Sequence, residues 1–296
     1  MESNNIKLRN FWQDDDITKK FILNLFTECN QLSKKIVISS VFIPTKLSSK
    51  IANQFAKRSR FNLENSQKRL YNIVRPINES DTVNIWYTGE NLRPPSDFGW
   101  NLLLTFETDE SIPNNIYLPF WATRLGTDID SSIIAQENLL KSREVESSNR
   151  KFACAIIGNP EPTRMRAIEY LNSVEEVDLF GRVFNNIIEE KNRVLGGYNF
   201  NICFENDLYP GYVTEKVIDS WRAGSIPVWW GLDPLGFINP KAVINFAGLG
   251  FEGGVKFIAD IKSNPEQIKS IQSQPLLQKP FDYLALKQKI IKSINR

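Results

Sequence analysis

The 296 residues are 42% hydrophobic and 24% charged, the balance of a chain that buries one or two cores at ~100–200 residues per domain. Thirty-six basic residues against 34 acidic ones leave a net charge of +2, too little for an electrostatic nucleic-acid face. Histidine is absent, which excludes Ser-His-Asp and Cys-His nucleophile systems, His-ligated zinc and any imidazole base, so a carboxylate is the first candidate for proton transfer.

The opening MESNNIKLRNFWQDDD is polar and acidic where a secretory leader is basic and then apolar. Ile17 to Cys29 places Ile17, Phe21, Leu25 and Phe26 at helical intervals. Ile36 to Pro44 (IVISSVFIP) reads as a buried strand stopped by proline, and Val83 to Tyr87 (VNIWY) as a strand ended by Thr88-Gly89-Glu90-Asn91. Leu102 to Phe106 and Ile116 to Trp121 are further short strands. From Leu125 to Lys151 the pattern becomes polar, a linker with a short helix at Ile133–Leu140.

Phe152 to Ile157 (FACAII) is a continuous apolar run, suited to a strand covered on both faces. A helix from about Glu161 to Leu171 follows, then a strand at Phe200–Phe204 and a polar turn at Glu205–Gly211. The next helix spans Thr214–Ala223, with Thr214 as its cap and Gly224 placed to end it. Ile226–Trp230 is another strand, and two or three helices close the chain. This alternation predicts an α/β fold of two Rossmann-like lobes with a cleft between them, divided as residues 1–145 and 146–296.

Cys29, Cys154 and Cys203 are odd in number and far apart, so neither a disulfide framework nor a structural zinc site is expected, and a cytoplasmic setting fits. No apolar run reaches ~18 residues, so no membrane span is expected. The mildly basic amphipathic tail FDYLALKQKIIKSINR leaves peripheral contact with an inner-membrane surface open, although packing on the body is the favoured reading.

The densest constellation is Phe204 to Lys216 (FENDLYPGYVTEK), where a buried strand stops and a helix begins. Ligands of open α/β sheets bind beyond the carboxyl ends of strands, and helix N-termini offer free N–H groups to phosphate. Lys216 sits in the first turn, where a cation opposes the helix dipole unless an anion is bound. A simply capped, solvated helix start is the plain alternative.

FNICFEN at Phe200–Asn206 and YVTEKVIDSWRAGSIPVWWG at Tyr212–Gly231 resemble the donor-binding signature of the α-1,3-fucosyltransferases. Trp86-Tyr87-Thr88-Gly89-Glu90-Asn91 is similar to the FYTGEN segment of bacterial members. Lys151–Asn159, Arg164 and Gly181-Arg182 resemble their strand–loop–Arg region. The resemblance covers roughly residues 83–245.

It implies a GT-B-like, inverting glycosyltransferase moving L-fucose from GDP-β-L-fucose to a hydroxyl of an N-acetyllactosamine-like oligosaccharide, in α-1,3 or α-1,4 linkage, for a surface glycan. The N-terminal lobe would bind acceptor and carry Glu90 as general base; the C-terminal lobe would bind donor. Arg182 and Lys216 would hold the diphosphate, with Arg164 and Arg166 as alternatives to Arg182. Asn206, Tyr212 and Glu215 would position nucleotide, ribose or fucose. Inverting transfer needs a carboxylate base on one face of the donor ring and cations on the departing diphosphate. The loop Asp207–Gly211 departs from the Ser- and Gly-rich form usual in the family, which leaves a different donor open. A non-catalytic carbohydrate-binding protein is the rival from another class.

Two DxD stretches, Asp14–Asp16 and Asp128–Asp130, could hold a divalent cation, but helix-start and linker roles are favoured and no metal is expected. Trp86, Trp100 and Trp121 are candidates for an acceptor-sugar platform, against ordinary packing of each ring. Trp229 and Trp230 suit a buried strand.

Overall fold

Short runs of β-branched and aliphatic residues set two parallel sheets. The structure, a computed structural model, describes residues 5–42, 74–95, 99–109, 111–146 and 149–295. In the first sheet, β1 (Ile6–Arg9), β2 (Lys35–Ser39), β3 (Thr82–Tyr87), β4 (Leu102–Thr105) and β5 (Asn115–Tyr117) lie side by side in chain order, all parallel. In the second, β6 (Lys151–Ile156), β7 (Val177–Phe180), β8 (Tyr198–Ile202), β9 (Ile226–Trp229) and β10 (Ile244–Asn245) are again parallel, in the order β10-β9-β8-β6-β7. The chain moves one way from β6 to β7 and the other way from β8 onward. β6 and β8 therefore flank a topological switch point, where connections diverge and open a crevice at the strands' carboxyl ends.

The described helices are α1 (Asp16–Cys29), α2 (Ile129–Leu139), α3 (Pro162–Asn172), α4 (Lys191–Gly196), α5 (Glu215–Arg222), α6 (Phe246–Ile261), α7 (Pro265–Gln272) and α8 (Tyr283–Ile294). Two compact units result: residues 1–134 with 282–296, and residues 135–281. The division expected at 145/146 falls instead inside α2, and the last helix joins the first unit. Its apolar stripe accounts for that, because Tyr283, Leu286, Ile290 and Ile294 are buried, Tyr283 lies edge-on to Phe21 of α1, and its hydroxyl donates to the Ala122 carbonyl at 2.9 Å. The favoured packing of the tail is thus what the fold shows. Among the described residues, no helix is long and apolar enough to cross a membrane.

Other elements differ from the sequence reading for local reasons. β2 stops at Ser39 rather than running to Pro44, whose last two positions lie outside the described residues. The run Ile116–Trp121 divides at Pro119 into β5 and a 3-10 turn, Phe120–Arg124. The short helix expected at Ile133–Leu140 within the polar stretch is α2, which begins earlier, at Ile129. β7, α4 and β10 are too short or too polar to have stood out. The predicted double cover of β6 holds: Ala153 and Ala155 share a cluster with Phe200, Ile202 and Val228, while Cys154 packs with Leu195 and Tyr198.

The amino edge of the second sheet carries a structural ion pair. Asp178 Oδ2 accepts from Lys151 Nζ at 2.7 Å and from the Tyr198 hydroxyl at 2.6 Å. The bond from Lys151, and then that from Tyr198, hold the Asp178 carboxyl below its ordinary value of 3.8. A carboxyl depressed on folding contributes its stability above the ordinary value and loses it as pH falls through the folded one. Asp178→Asn should therefore lower the urea midpoint at about pH 7, and the deficit relative to wild type should shrink progressively as pH falls below the ordinary value of 3.8. A deficit that does not change with pH would show that the pair does not set the carboxyl's protonation.

Candidate functional site

At the switch point, each of the two central strands feeds a helix whose first turn carries a cation. β6 leads through Gly158-Asn159-Pro160 into α3, with Pro162 at its start and Arg164 in the first turn. β8 stops at Ile202, so Phe204-Glu205-Asn206 leave the sheet at its carboxyl edge, and α5 begins at Glu215 with Lys216 in its first turn. Both cations sit where the helix dipole disfavours them.

They converge on one atom. Asn206 Oδ1 accepts from Lys216 Nζ at 3.3 Å and from Arg164 Nη2. Arg164 is 7% exposed, and its remaining bonds go to neutral oxygens: Nε and Nη2 to the Phe204 carbonyl at 3.1 and 3.0 Å, and Nη1 to the Asn159 carbonyl at 3.2 Å. Among the described residues it has no ion pair. A buried guanidinium held only by neutral acceptors has lost its hydration without gaining a counter-charge, which favours an anion at this edge.

Lys216 does have a carboxylate. Glu205, whose side chain is fully buried, accepts from Lys216 Nζ at 3.0 Å through Oε2. The same oxygen accepts from the Thr214 hydroxyl at 2.8 Å, while Oε1 accepts from Thr214 N at 2.8 Å and from Trp229 Nε1 at 3.4 Å. Thr214 caps α5 as its sequence position predicts, with Oγ1 accepting from Lys216 N at 3.3 Å. Trp229 reaches Glu205 because Gly231 leaves room for the indole: a Cβ at residue 231 would lie 2.4 to 2.8 Å from three indole atoms.

The other expected donor residues divide. Tyr212 is buried and stacked on Tyr209, with ring centroids 6.5 Å apart. Glu215 is half-buried at the head of α5 and, among the described residues, makes no side-chain hydrogen bond or ion pair. Arg182 lies in the turn after β7, likewise with no side-chain bond among the described residues. Arg164, an alternative in the sequence reading, is therefore the arginine that the fold brings to Asn206 and Lys216. Arg166 lies over the Tyr170 and Phe251 rings on the far side of α3. Glu205, which the sequence reading quoted within its motif but did not single out, is the carboxylate at the centre of this arrangement.

In the first unit, Glu90 is half-buried just beyond the carboxyl end of β3, the middle strand. Thr88 N donates to the Leu104 carbonyl at 2.9 Å, and Trp86 Nε1 donates to Thr88 Oγ1 at 2.8 Å, which fixes the strand end that presents it. Gly89 lies against Ser40 and Phe42, where a Cβ would meet both at 3.0 and 3.1 Å. Trp86, Trp100 and Trp121 are buried, so ordinary packing and not a sugar platform describes them. Trp12 is 51% exposed and edge-on to Phe42. Neither DxD stretch is laid out as a cation site. Asp15 caps α1 and pairs with Arg124, and Asp128 Oδ1 accepts from Ser131 N at the head of α2.

Comparison with known proteins places this geometry. Residues 146–267 match the model of glycosyltransferase family 10 (fucosyltransferase), C-terminal region. The chain is 39% identical over 107 residues to the alpha-(1,3)-fucosyltransferase FucT of Helicobacter pylori, a stretch covering 34% of this chain and 22% of that protein. Residues 146–267 of this chain are thus similar to the C-terminal region of glycosyltransferase family 10. Human 4-galactosyl-N-acetylglucosaminide 3-alpha-L-fucosyltransferase 9 is 31% identical over 88 residues, covering 28% of this chain and 24% of that protein. The matched stretches thus span under a quarter of these relatives' lengths. The fold agrees over nearly the whole chain: a crystal structure of an alpha1,3-fucosyltransferase superposes with a TM-score of 0.67 at 20% identity, covering 98% of this chain and 88% of that one. The same protein fold with GDP-fucose gives 0.66 at 19% identity. The two parallel sheets are those of a GT-B-like architecture.

Within the matched stretch, the glycine of the IPVWWG run is fixed by packing. Gly231→Ala should force the Trp229 indole off Glu205 and cost about 1–3 kcal/mol, read from the urea midpoint. An unchanged midpoint would mean that the ring has slack at this position.

Proposed function

We propose that this chain is a family-10 inverting fucosyltransferase that moves L-fucose from GDP-β-L-fucose to a hydroxyl of an N-acetyllactosamine-like oligosaccharide, in α-1,3 or α-1,4 linkage. The observation that carries the reading is the pair of cations at the β6/β8 switch point, Arg164 and Lys216, held on Asn206 Oδ1, with no carboxylate partner for Arg164 among the described residues. A nucleoside diphosphate supplies the missing negative charge. Arg binds phosphate through its planar fork and Lys as a point charge.

In this reading the donor belongs to the second unit and the base to the first. Glu90 takes the proton of the acceptor hydroxyl as its oxygen attacks fucose C1. The new C1–O bond forms as the bond from C1 to the β-phosphate oxygen breaks, and the electron pair leaves with GDP. Attack from the face opposite the leaving group turns the β-linked donor into an α-linked product. Arg164 and Lys216 stabilise the charge gathering on the diphosphate, and Arg182, a cation one strand over at the same sheet edge, is the second arginine available to it. Glu215 and Tyr212 hold ribose or fucose. The chemistry needs no divalent cation, because protein cations carry the leaving-group charge.

The test starts with donor binding and ends with transfer. GDP-fucose at 100 times its dissociation constant should stabilise the chain by ~2.7 kcal/mol, seen as a rise in melting temperature that UDP-N-acetylglucosamine does not produce. Glu90→Gln should then lower transfer to a β-galactosyl-N-acetylglucosamine acceptor by at least ~10³-fold while GDP-fucose affinity stays within about threefold. Selective stabilisation by another nucleotide sugar would reassign the donor, and near-normal turnover of the variant would remove Glu90 as base.

A further inference from the structure

Glu205 is a full negative charge next to the place where an anion is expected to bind. By charge alone it opposes diphosphate binding, so its presence at this point needs another explanation. Its side chain is fully buried, and four donors converge on its two oxygens: Thr214 N, the Thr214 hydroxyl, Lys216 Nζ and Trp229 Nε1. With every neighbour donating, the site fits a carboxylate and does not fit an amide, whose NH2 would face a cation. Three of the four partners anchor Glu205 to β9 and to the cap of α5. The fourth is the lysine, whose side chain is one-quarter exposed where its partner's is not exposed at all.

We propose that Glu205 is a positioning residue: its buried carboxylate holds the flexible Lys216 ammonium beside Asn206 and Arg164, so that the diphosphate meets a preformed pair of cations. The inference rests on the donor reading given above. A lysine has a compact charge on a four-carbon stem with many rotamers, and left alone it spends much of its time elsewhere. Fixing it before the ligand arrives removes that ordering cost from binding. The anchored side of Glu205 supplies the rigidity: Trp229 is locked by its fit over Gly231, and Thr214 N and Oγ1 belong to the start of a packed helix. Glu205 touches neither donor nor acceptor in this scheme and acts through Lys216.

The sign of one substitution separates positioning from simple charge. Glu205→Gln removes a negative charge near an anion site, which on Coulomb's law alone tightens GDP binding. If Glu205 positions Lys216, the same change weakens GDP binding by about ten- to a hundredfold, the scale of one charge-assisted hydrogen bond. In a Lys216→Met background there is no ammonium to hold, so E205Q should cost nothing further and should even raise GDP affinity. Calorimetric titration of wild type, E205Q, K216M and the double variant with GDP gives the complete cycle, with thermal unfolding run alongside to show that each is folded. Equal losses from E205Q with and without the lysine would reduce Glu205 to a structural role and overturn the inference, as would tighter or unchanged binding by E205Q. Wild type that binds no GDP would overturn the donor reading and this inference together, whereas GDP binding by wild type with an indifferent E205Q overturns this inference alone. Should E205Q fail to fold, the wild type answers by itself: the Lys216 ammonium, assigned through K216R, should show restrained, slowly exchanging protons by NMR before GDP is added. An ammonium in fast exchange with water would overturn the proposal.

Discussion

Two cations share one amide oxygen at the carboxyl edge of the second sheet, and much of that unit is arranged around holding them there. Like charges separate unless something fixes both, and neither helix start welcomes a cation in its first turn. Arg164 is fixed from behind by the carbonyls of Asn159 and Phe204, the residues that follow the two central strands. Lys216 is fixed by Glu205, which is fixed in turn by the α5 cap and by the indole of Trp229. The chain thus bears several locally unfavourable choices at one place, and a bound anion is the condition under which they become favourable together.

The sheet order is what brings them to one place. β6 and β8 are neighbours although β7 lies between them in the sequence, so α3 and α5 begin side by side. Had the second sheet kept chain order, as the first does, β7 would separate the two helix starts and Arg164 could not reach Asn206. The reversal at β6/β8 is therefore the step at which a generic parallel sheet acquires a charged crevice. The amino edge of the same sheet is a contrast: there Lys151 and Tyr198 both donate to the Asp178 carboxylate, so that lysine already has its counter-charge.

The sequence carried the local half of this picture well. The continuous apolar run of β6, the Thr214 cap and the cation after it are decided within a few residues, and each stands where its pattern places it. What depended on pairing was not legible. The choice between Arg164 and Arg182 turns on which strands are neighbours, and no spacing along the chain encodes that. Nor does a sequence say which way a side chain turns beyond a strand end, so Glu205 read as part of a motif and not as the anchor beneath Lys216. The boundary between units was misplaced because the returning helix α8 finds its apolar partners, Phe21 among them, more than two hundred residues earlier. Trp86, Trp100 and Trp121 were ambiguous for the same reason, since a ring suited to stacking on a sugar is equally suited to filling a core.

The two strand-end glutamates show how environment divides roles in a chain with no histidine. Glu205 and Glu90 both follow a buried strand of a parallel sheet, and composition alone gives them equal standing as bases. Glu205 is excluded by its surroundings, because a carboxylate already accepting four hydrogen bonds, one from an ammonium, has neither a free lone pair nor a path to a substrate hydroxyl. Glu90 is half-buried on a strand end stiffened by Trp86 and Thr88, where a carboxylate keeps its orientation and some access to solvent. A general base needs that combination of fixed direction and open approach. Saturation by donors makes Glu205 an anchor and not a base, which leaves Glu90 as the carboxylate to which the proposed mechanism gives proton transfer.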